Sequence, residues 1–183
     1  MLNFLFTHTP LTFLTQSLWR DEAFSYLLAK KNILQIITLS AKDFNPPLYY
    51  ILLHLWIKIF GVTEISLRIF SFIFYWAILY VCAHFLQDIF KLNLKKSLLY
   101  FILFIFNPIL SYYAFEARAY TLFAFLATLS YYSFYKRSFK LYLVATILGL
   151  YTHYFMLFVV FSQFIFIYLT QKGRRDYKNI KKV

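Results

Sequence analysis

Long apolar runs recur along this chain, and each stops at a short polar or charged break. The run at 67–87 is long enough to cross a bilayer, at roughly 1.5 Å of rise per residue against a hydrocarbon core of about 30 Å. A second run, 97–113, is interrupted near its end by Asn107-Pro108, and a third covers 119–135. The stretch 141–170 is too long for one simple span, and Gly149 with the polar pair Thr152-His153 divides it in two. Residues 1–19 carry no side-chain charge but are broken by Thr7, His8, Thr9 and Pro10. They lack the basic start and small-residue cleavage site of a signal peptide. We read them as a first transmembrane helix. The pattern predicts an all-α, polytopic integral membrane protein with about six transmembrane helices.

One segment breaks this rhythm. Residues 20–67 are too apolar for a free loop, yet hold no span of comfortable length. Within 23–39, Phe24, Leu27, Leu28, Leu34 and Ile37 recur at near-helical spacing, with Lys30, Lys31, Asn32 and Gln35 between them. Such a helix lies along a membrane surface. Pro46-Pro47 then opens a second helix at 48–60, because proline suits a first turn, and Gly61 terminates it. That helix is too short to span with ease. The expectation is a long first outer loop, 20–67, built of amphipathic juxtamembrane helices.

Charge orients this arrangement. Lys91, Lys95 and Lys96 follow one apolar run, and Lys136, Arg137 and Lys140 follow another. Lys172, Arg174, Arg175, Lys178, Lys181 and Lys182 follow the last. Positive loops resist translocation, so these groups belong to the cytoplasm, and 171–183 is a basic cytoplasmic tail. Five of the seven acids, Asp21, Glu22, Asp43, Glu64 and Glu116, then fall on the outer side. A spanning 48–60 helix would put the first basic group outside, and the charge pattern rejects it.

Composition fixes the class. The chain is 62% hydrophobic and 24% aromatic over 183 residues, more apolar surface than a soluble domain of that size can hide. Its net charge of +12 comes from the cytoplasmic groups, which act as topology signals and lipid contacts, so no nucleic-acid partner is expected. The lone Cys82 excludes a disulfide framework and a thiol metal site. The whole of 1–183 reads as one transmembrane domain of the plasma membrane.

The chemistry-bearing residues sit at the outer boundary. Asp21 and Glu22 fit a helix cap, or a carboxylate base at the edge of a lipid-facing cavity, where partial desolvation raises basicity. Asp43 fits a cap as well, and Glu64 is an ordinary solvated one. Glu116 and Arg118 interrupt an apolar stretch, where ionisable groups face a cavity or each other. Arg68 begins a span and either snorkels to headgroups or binds a lipid phosphate. His153 is either a hydrogen-bonded core residue or a ligand.

Together, Asp21-Glu22, the string Asp43-Phe44-Asn45-Pro46-Pro47-Leu48-Tyr49-Tyr50, Phe60-Gly61 with Glu64 and Arg68, and Glu116-Ala117-Arg118-Ala119-Tyr120 resemble the GT-C membrane glycosyltransferases. The branch they look most like contains the protein O-mannosyltransferases, the aminoarabinose-lipid A transferases and related bacterial enzymes. Tyr151-Thr152-His153-Tyr154-Phe155 is similar to a string of the bacterial branch. The resemblance runs from about Trp19 to Thr170.

It implies inverting transfer of a sugar from a polyprenyl-phosphate carrier to an acceptor hydroxyl on a lipid, glycan or protein at the outer face. Asp21 and Glu22 match the acidic pair that positions and deprotonates the acceptor. Asp43 matches the acid of the proline loop, in which Asn45 stands where relatives often carry histidine, and Tyr49 belongs to the same substrate-binding string. Arg68 matches the arginine that holds the carrier phosphate. Glu116 and Arg118 match a second outer loop at the same cavity, and His153 falls in the bacterial string. Lys58 is a second candidate for phosphate neutralisation. No cofactor is required, although Asp21, Asp43 and Glu116 are hard oxygen donors suited to a divalent metal.

Members of this branch usually have more helices, so the expectation is an N-terminal fragment, or a split chain whose partner supplies the rest. A non-catalytic scaffold and a flippase for lipid-linked sugars are the alternatives. A flippase would show paired repeats and a polar site near the midplane, and neither is visible.

Overall fold

The computed structural model describes residues 12–93, 95, 96, 100, 102 and 107–180. Most of the expected first span, much of the 97–113 run and the last three residues therefore lie outside the described residues. The elements are α1 (Thr12–Thr15), α2 (Arg20–Ala29), α3 (Ile33–Lys42), α4 (Leu48–Phe60), α5 (Glu64–Phe90), α6 (Pro108–Ala114), α7 (Tyr120–Tyr135), α8 (Phe139–Leu150) and α9 (Met156–Ile180). Among the described residues there is no strand, and the fold is all-α.

Local chemistry sets these boundaries. The expected single helix over 23–39 is two helices, because Asn32 accepts a hydrogen bond from the Gln35 amide at 2.9 Å and starts α3 afresh. Gly61, at φ 82°, ends α4 as expected and returns its amide to Ile57. Thr63 caps α5 by accepting from the Ser66 amide at 3.2 Å. Asn107 does the same for α6 at the Leu110 amide, with Pro108 in the first turn. The break expected at Gly149 and Thr152-His153 separates α8 from α9. At Gly149 a β-carbon would come within 2.7 Å of the Met156 sulfur, so a larger residue there would make that side chain shift.

Helix α5 has 27 residues and rises about 40 Å. Among the described residues it is the one helix long and apolar enough to cross a membrane; α8 and the apolar part of α9, Met156–Thr170, are shorter. Large apolar side chains are exposed along the helices, including Ile73 and Trp76 on α5, Val144 and Ile147 on α8, and Phe158, Phe161 and Phe164 on α9. Apolar surface on that scale suits a lipid environment.

The core lies at one end of the long helices. Leu28 and Ala29 of α2, Ile36 of α3, and Tyr49, Tyr50 and Leu53 of α4 pack onto Leu67 and Phe70 of α5 and Leu122 and Leu126 of α7. The short helices thus form a layer across the starts of α5 and α7. Buried polar contacts hold this layer. His54 donates from Nδ1 to the Ala29 carbonyl at 2.7 Å, a partner that fixes its tautomer, and the Trp56 indole donates to the Ser66 carbonyl at 3.0 Å. The Leu48 amide donates to the Tyr151 carbonyl at 2.9 Å, tying the start of α4 to the α8–α9 turn.

Side-chain contacts fix the directions of the long helices. Ser71 of α5 meets the Arg118 carbonyl just before α7, while Asp88 at the far end of α5 accepts from Tyr132 and pairs with Lys136 at the far end of α7. Those two helices are therefore parallel. Ser130 of α7, Thr146 and Tyr142 of α8 and Gln163 of α9 share hydrogen bonds of 3.0 and 3.1 Å, and Tyr131 bonds to Ser162. These contacts bring α8 back and send α9 forward again. Lys91, Lys136 and Arg137 gather at one end, towards which α9 also runs, and Asp21, Glu22, Asp43 and Glu116 gather at the other.

Candidate functional site

Two carboxylates adjacent in sequence take different roles. Glu22 is 1% exposed. Its Oε1 accepts from the Arg68 Nε and from the Ala117 amide, both at 2.9 Å, and its Oε2 accepts from the Arg68 Nη2 at 2.6 Å. The Trp19 amide adds a longer contact to Oε2, at 3.4 Å. Arg68 also donates from Nη1 to the Gln16 carbonyl at 2.6 Å. A bidentate arginine–carboxylate pair is the strongest form such a contact takes. This one joins α2, the second turn of α5 and the 116–118 turn, three segments far apart in sequence. Glu22 and Arg68 are thus brought together as a structural tie, with their polar atoms directed at each other and at backbone.

Asp21, one residue earlier, points the other way. Its Oδ2 meets the Arg118 Nη1 at 2.5 Å, with both side chains part-exposed. The Arg118 guanidinium lies over the Tyr120 ring, 4.7 Å from its centroid, and 5.9 Å from that of Trp19. A tight turn delivers it: the Arg118 amide donates back to the Glu116 carbonyl at 2.8 Å.

The Asp21–Arg118 pair opens on a cavity of about 250 Å³ lined by Arg20, Asp21, Phe24, Ser25, Asp43, Asn45, Tyr50 and Arg118. Asp43 caps the C-terminus of α3 and Asn45 follows an exposed Phe44 at φ 53°. The Asn45 amide donates to the Asp43 carboxylate at 2.6 Å. Burial pushes the Tyr50 phenol up to about 12, so it stays a hydrogen-bond donor at neutral pH.

Glu116 belongs to a second cavity of about 260 Å³, lined by Gln16, Ser17, Trp19, Glu22, Arg68, Tyr112, Phe115 and Glu116. Burial raises its carboxyl above the ordinary range, against the opposing effects of a Tyr112 hydrogen bond and the Arg118 charge.

The structure sorts the expected site residues. Asp21, Asp43, Asn45 and Arg118 share one cavity, and Glu22, Arg68 and Glu116 line the other. Tyr49 is fully buried, its hydroxyl 3.3 Å from that of Ser71, and its neighbour Tyr50 faces the cavity instead. Lys58 is exposed in the last turn of α4 and lines neither cavity. His153 stacks among Tyr120, Phe123 and Phe155, and its Nδ1 accepts from the Phe155 amide at 3.2 Å. Burial first, and the Arg118 charge second, lower its pKa, which keeps it neutral at pH 7. Among the described residues no three of His, Cys, Asp and Glu form a group spaced to hold a metal ion, so Asp21, Asp43 and Glu116 are not brought together as one.

Trp19, Tyr50, Tyr112 and Phe115 were not singled out from sequence. Each is next to or near a charged motif, and that adjacency was the available signal. Comparison with protein-family models, with curated proteins and with solved structures returned no match.

Proposed function

We propose that this chain is a membrane glycosyltransferase, or the catalytic part of one, that moves a sugar from a polyprenyl-phosphate carrier to an acceptor hydroxyl at the outer face. One observation carries the reading: a part-exposed Asp21–Arg118 pair opens on a cavity that also holds Asp43 and Asn45, at the end opposite the basic groups. In the same reading α5 crosses the bilayer, α7, α8 and α9 pack beside it within the membrane, the basic ends lie in the cytoplasm, and the layer of short helices rests on the outer leaflet.

The chemistry needs a cation where the leaving phosphate gains charge and a carboxylate where the acceptor loses its proton. Arg118, held against Tyr120, is the accessible guanidinium, and Arg68 is committed to Glu22. An incoming phosphodiester replaces Asp21 on Arg118 with a similar bidentate contact. Asp21 is thereby released into the cavity as a base. The acceptor oxygen bonds to the anomeric carbon, the carbon–phosphate oxygen bond breaks, the proton passes to Asp21, and the lipid phosphate leaves as an anion on Arg118. The configuration inverts.

The test is sugar transfer in reconstituted vesicles from a polyprenyl-phosphate sugar. Asp21→Asn and Arg118→Ala are each expected to lose about 100-fold or more in turnover while the chain stays folded. Wild-type turnover in both variants would defeat the assignment.

A further inference from the structure

A cavity of about 790 Å³, about three times the volume of either outer one, lies towards the basic ends of the helices. Phe85 of α5, Phe134 of α7 and Phe166 and Ile167 of α9 form its apolar walls, and Phe166 is 61% exposed. The cavity follows α9 from Ser162 to Thr170, about 12 Å of helix, close to the depth of one hydrocarbon leaflet at about 15 Å. Ser162, Gln163 and Thr170 already hydrogen-bond within the chain. Among the described residues lining this cavity, Arg137 is the one that carries charge.

Arg137 stands where a helix end favours glycine. The Ser138 amide returns to the Ser133 carbonyl at 2.9 Å and the Arg137 amide to the Phe134 carbonyl at 3.1 Å, a terminating motif whose middle residue turns left-handed. Arg137 is at φ 56°, a conformation that strains any residue with a β-carbon and leaves glycine unstrained. The strained position thus puts a guanidinium beside an apolar cavity. Among the described residues no carboxylate pairs with it, and neighbouring Lys136 is already held by Asp88 at 3.1 Å.

We infer that this cavity binds an acyl chain of an anionic phospholipid from the cytoplasmic leaflet, with the headgroup phosphate on Arg137. A cation beside the basic loop and aromatic walls deeper along α9 repeat the polarity of a lipid standing in that leaflet. The guanidinium matches a phosphodiester through two parallel hydrogen bonds. A zwitterionic headgroup fits less well, because its ammonium meets Arg137, Lys136 and Lys140 together. The inference takes from the proposed function only the side on which the basic ends lie. Its site is at the far end of the helices from the Asp21–Arg118 cavity.

The test is lipid binding to the purified full chain in neutral detergent, with bound lipid counted by mass spectrometry of the intact complex. Phosphatidylglycerol and phosphatidylcholine with the same acyl chains are compared. Phosphatidylglycerol is expected to bind at least tenfold more tightly. Arg137→Gly should lose that tenfold preference, yet unfold about 2–4 °C higher in lipid-free detergent because the left-handed strain is gone. Ile167→Trp fills the cavity and keeps Arg137, and should weaken phosphatidylglycerol tenfold or more. Lys140→Gln, outside the cavity, should stay within twofold of the wild type, and glycerol phosphate should not displace the lipid. Equal affinity for the two lipids, an unchanged preference in Arg137→Gly, or wild-type binding in Ile167→Trp would overturn the site. So would an equal loss in Lys140→Gln or displacement by glycerol phosphate, since either would reduce the contact to surface charge.

Discussion

Two arginine–carboxylate pairs lie side by side and use consecutive residues, yet they differ in almost everything physical. In Glu22–Arg68 the side chains are 1% and 4% exposed; in Asp21–Arg118 they are 38% and 29% exposed. The first pair is wrapped by backbone donors and acceptors from two segments, residues 16–19 and Ala117. The second has one direct contact, a ring beneath the guanidinium and a cavity in front of it. Helical geometry explains the split, because successive residues at the start of α2 project about 100° apart. One therefore faces the core and the other the cavity. An acidic dipeptide can thus supply both a structural tie and a cavity-facing carboxylate without either compromising the other.

The largest effect should come from breaking the inner pair. Glu22→Gln or Arg68→Met leaves a buried charge without its partner, which costs about 3–5 kcal/mol, a large share of an ordinary stability of 5–15 kcal/mol. Unfolding followed in detergent by circular dichroism is expected to show that loss in each single variant. The double variant Glu22→Leu with Arg68→Met should recover much of it, since no charge is then buried. Single variants as stable as the wild type would show that the tie is not structural.

Glu116 connects the two pairs, because its turn gives the Ala117 amide to Glu22 and the Arg118 side chain to Asp21. Its carboxyl is raised chiefly by burial. A raised folded-state pKa contributes stability that is fully present below the ordinary carboxyl value of about 4.3 and is lost as pH rises through the raised value. The wild type should therefore gain stability from this group on acidification across that window, and Glu116→Gln should lack that part of the gain. Unfolding midpoints of the two proteins across the window measure the difference. Parallel curves, or a gain on the alkaline side, would contradict the burial of this carboxylate.

How much of this was legible beforehand depends on the residue. Pro46-Pro47 and Gly61 placed the breaks around α4, and Gly149 with Thr152-His153 the one between α8 and α9, because such signals act within a few residues. Asn32 was read as a polar interruption on one helix, although it is the cap that makes two. The separation of Asp21, Glu22, Asp43 and Glu116 from Lys91, Lys136 and Arg137 was also legible in sequence, since the two groups stand at different breaks between apolar runs. The division of labour between Asp21 and Glu22 did not. It depends on Arg68, 46 residues on, and on Ala117, 95 residues on, and no local pattern encodes which carboxylate meets them. Tyr49 and Tyr50 were similarly indistinguishable until the packing of α4 turned one inward.

The outer pair should give the smallest stability change and so sharpen the contrast. A part-exposed ion pair contributes about 0.2–1 kcal/mol, because water screens it and two side chains must be held still. Asp21→Asn and Arg118→Gln are each expected to shift unfolding by no more than that, and the shift should shrink as salt is raised. The inner pair, shielded from solvent, should respond little to the same salt series. A double-mutant cycle on each pair at low and high salt compares them directly. An Asp21–Arg118 coupling as large and as salt-insensitive as that of Glu22–Arg68 would mean that the outer pair is locked too, and a phosphate could not displace Asp21 from it.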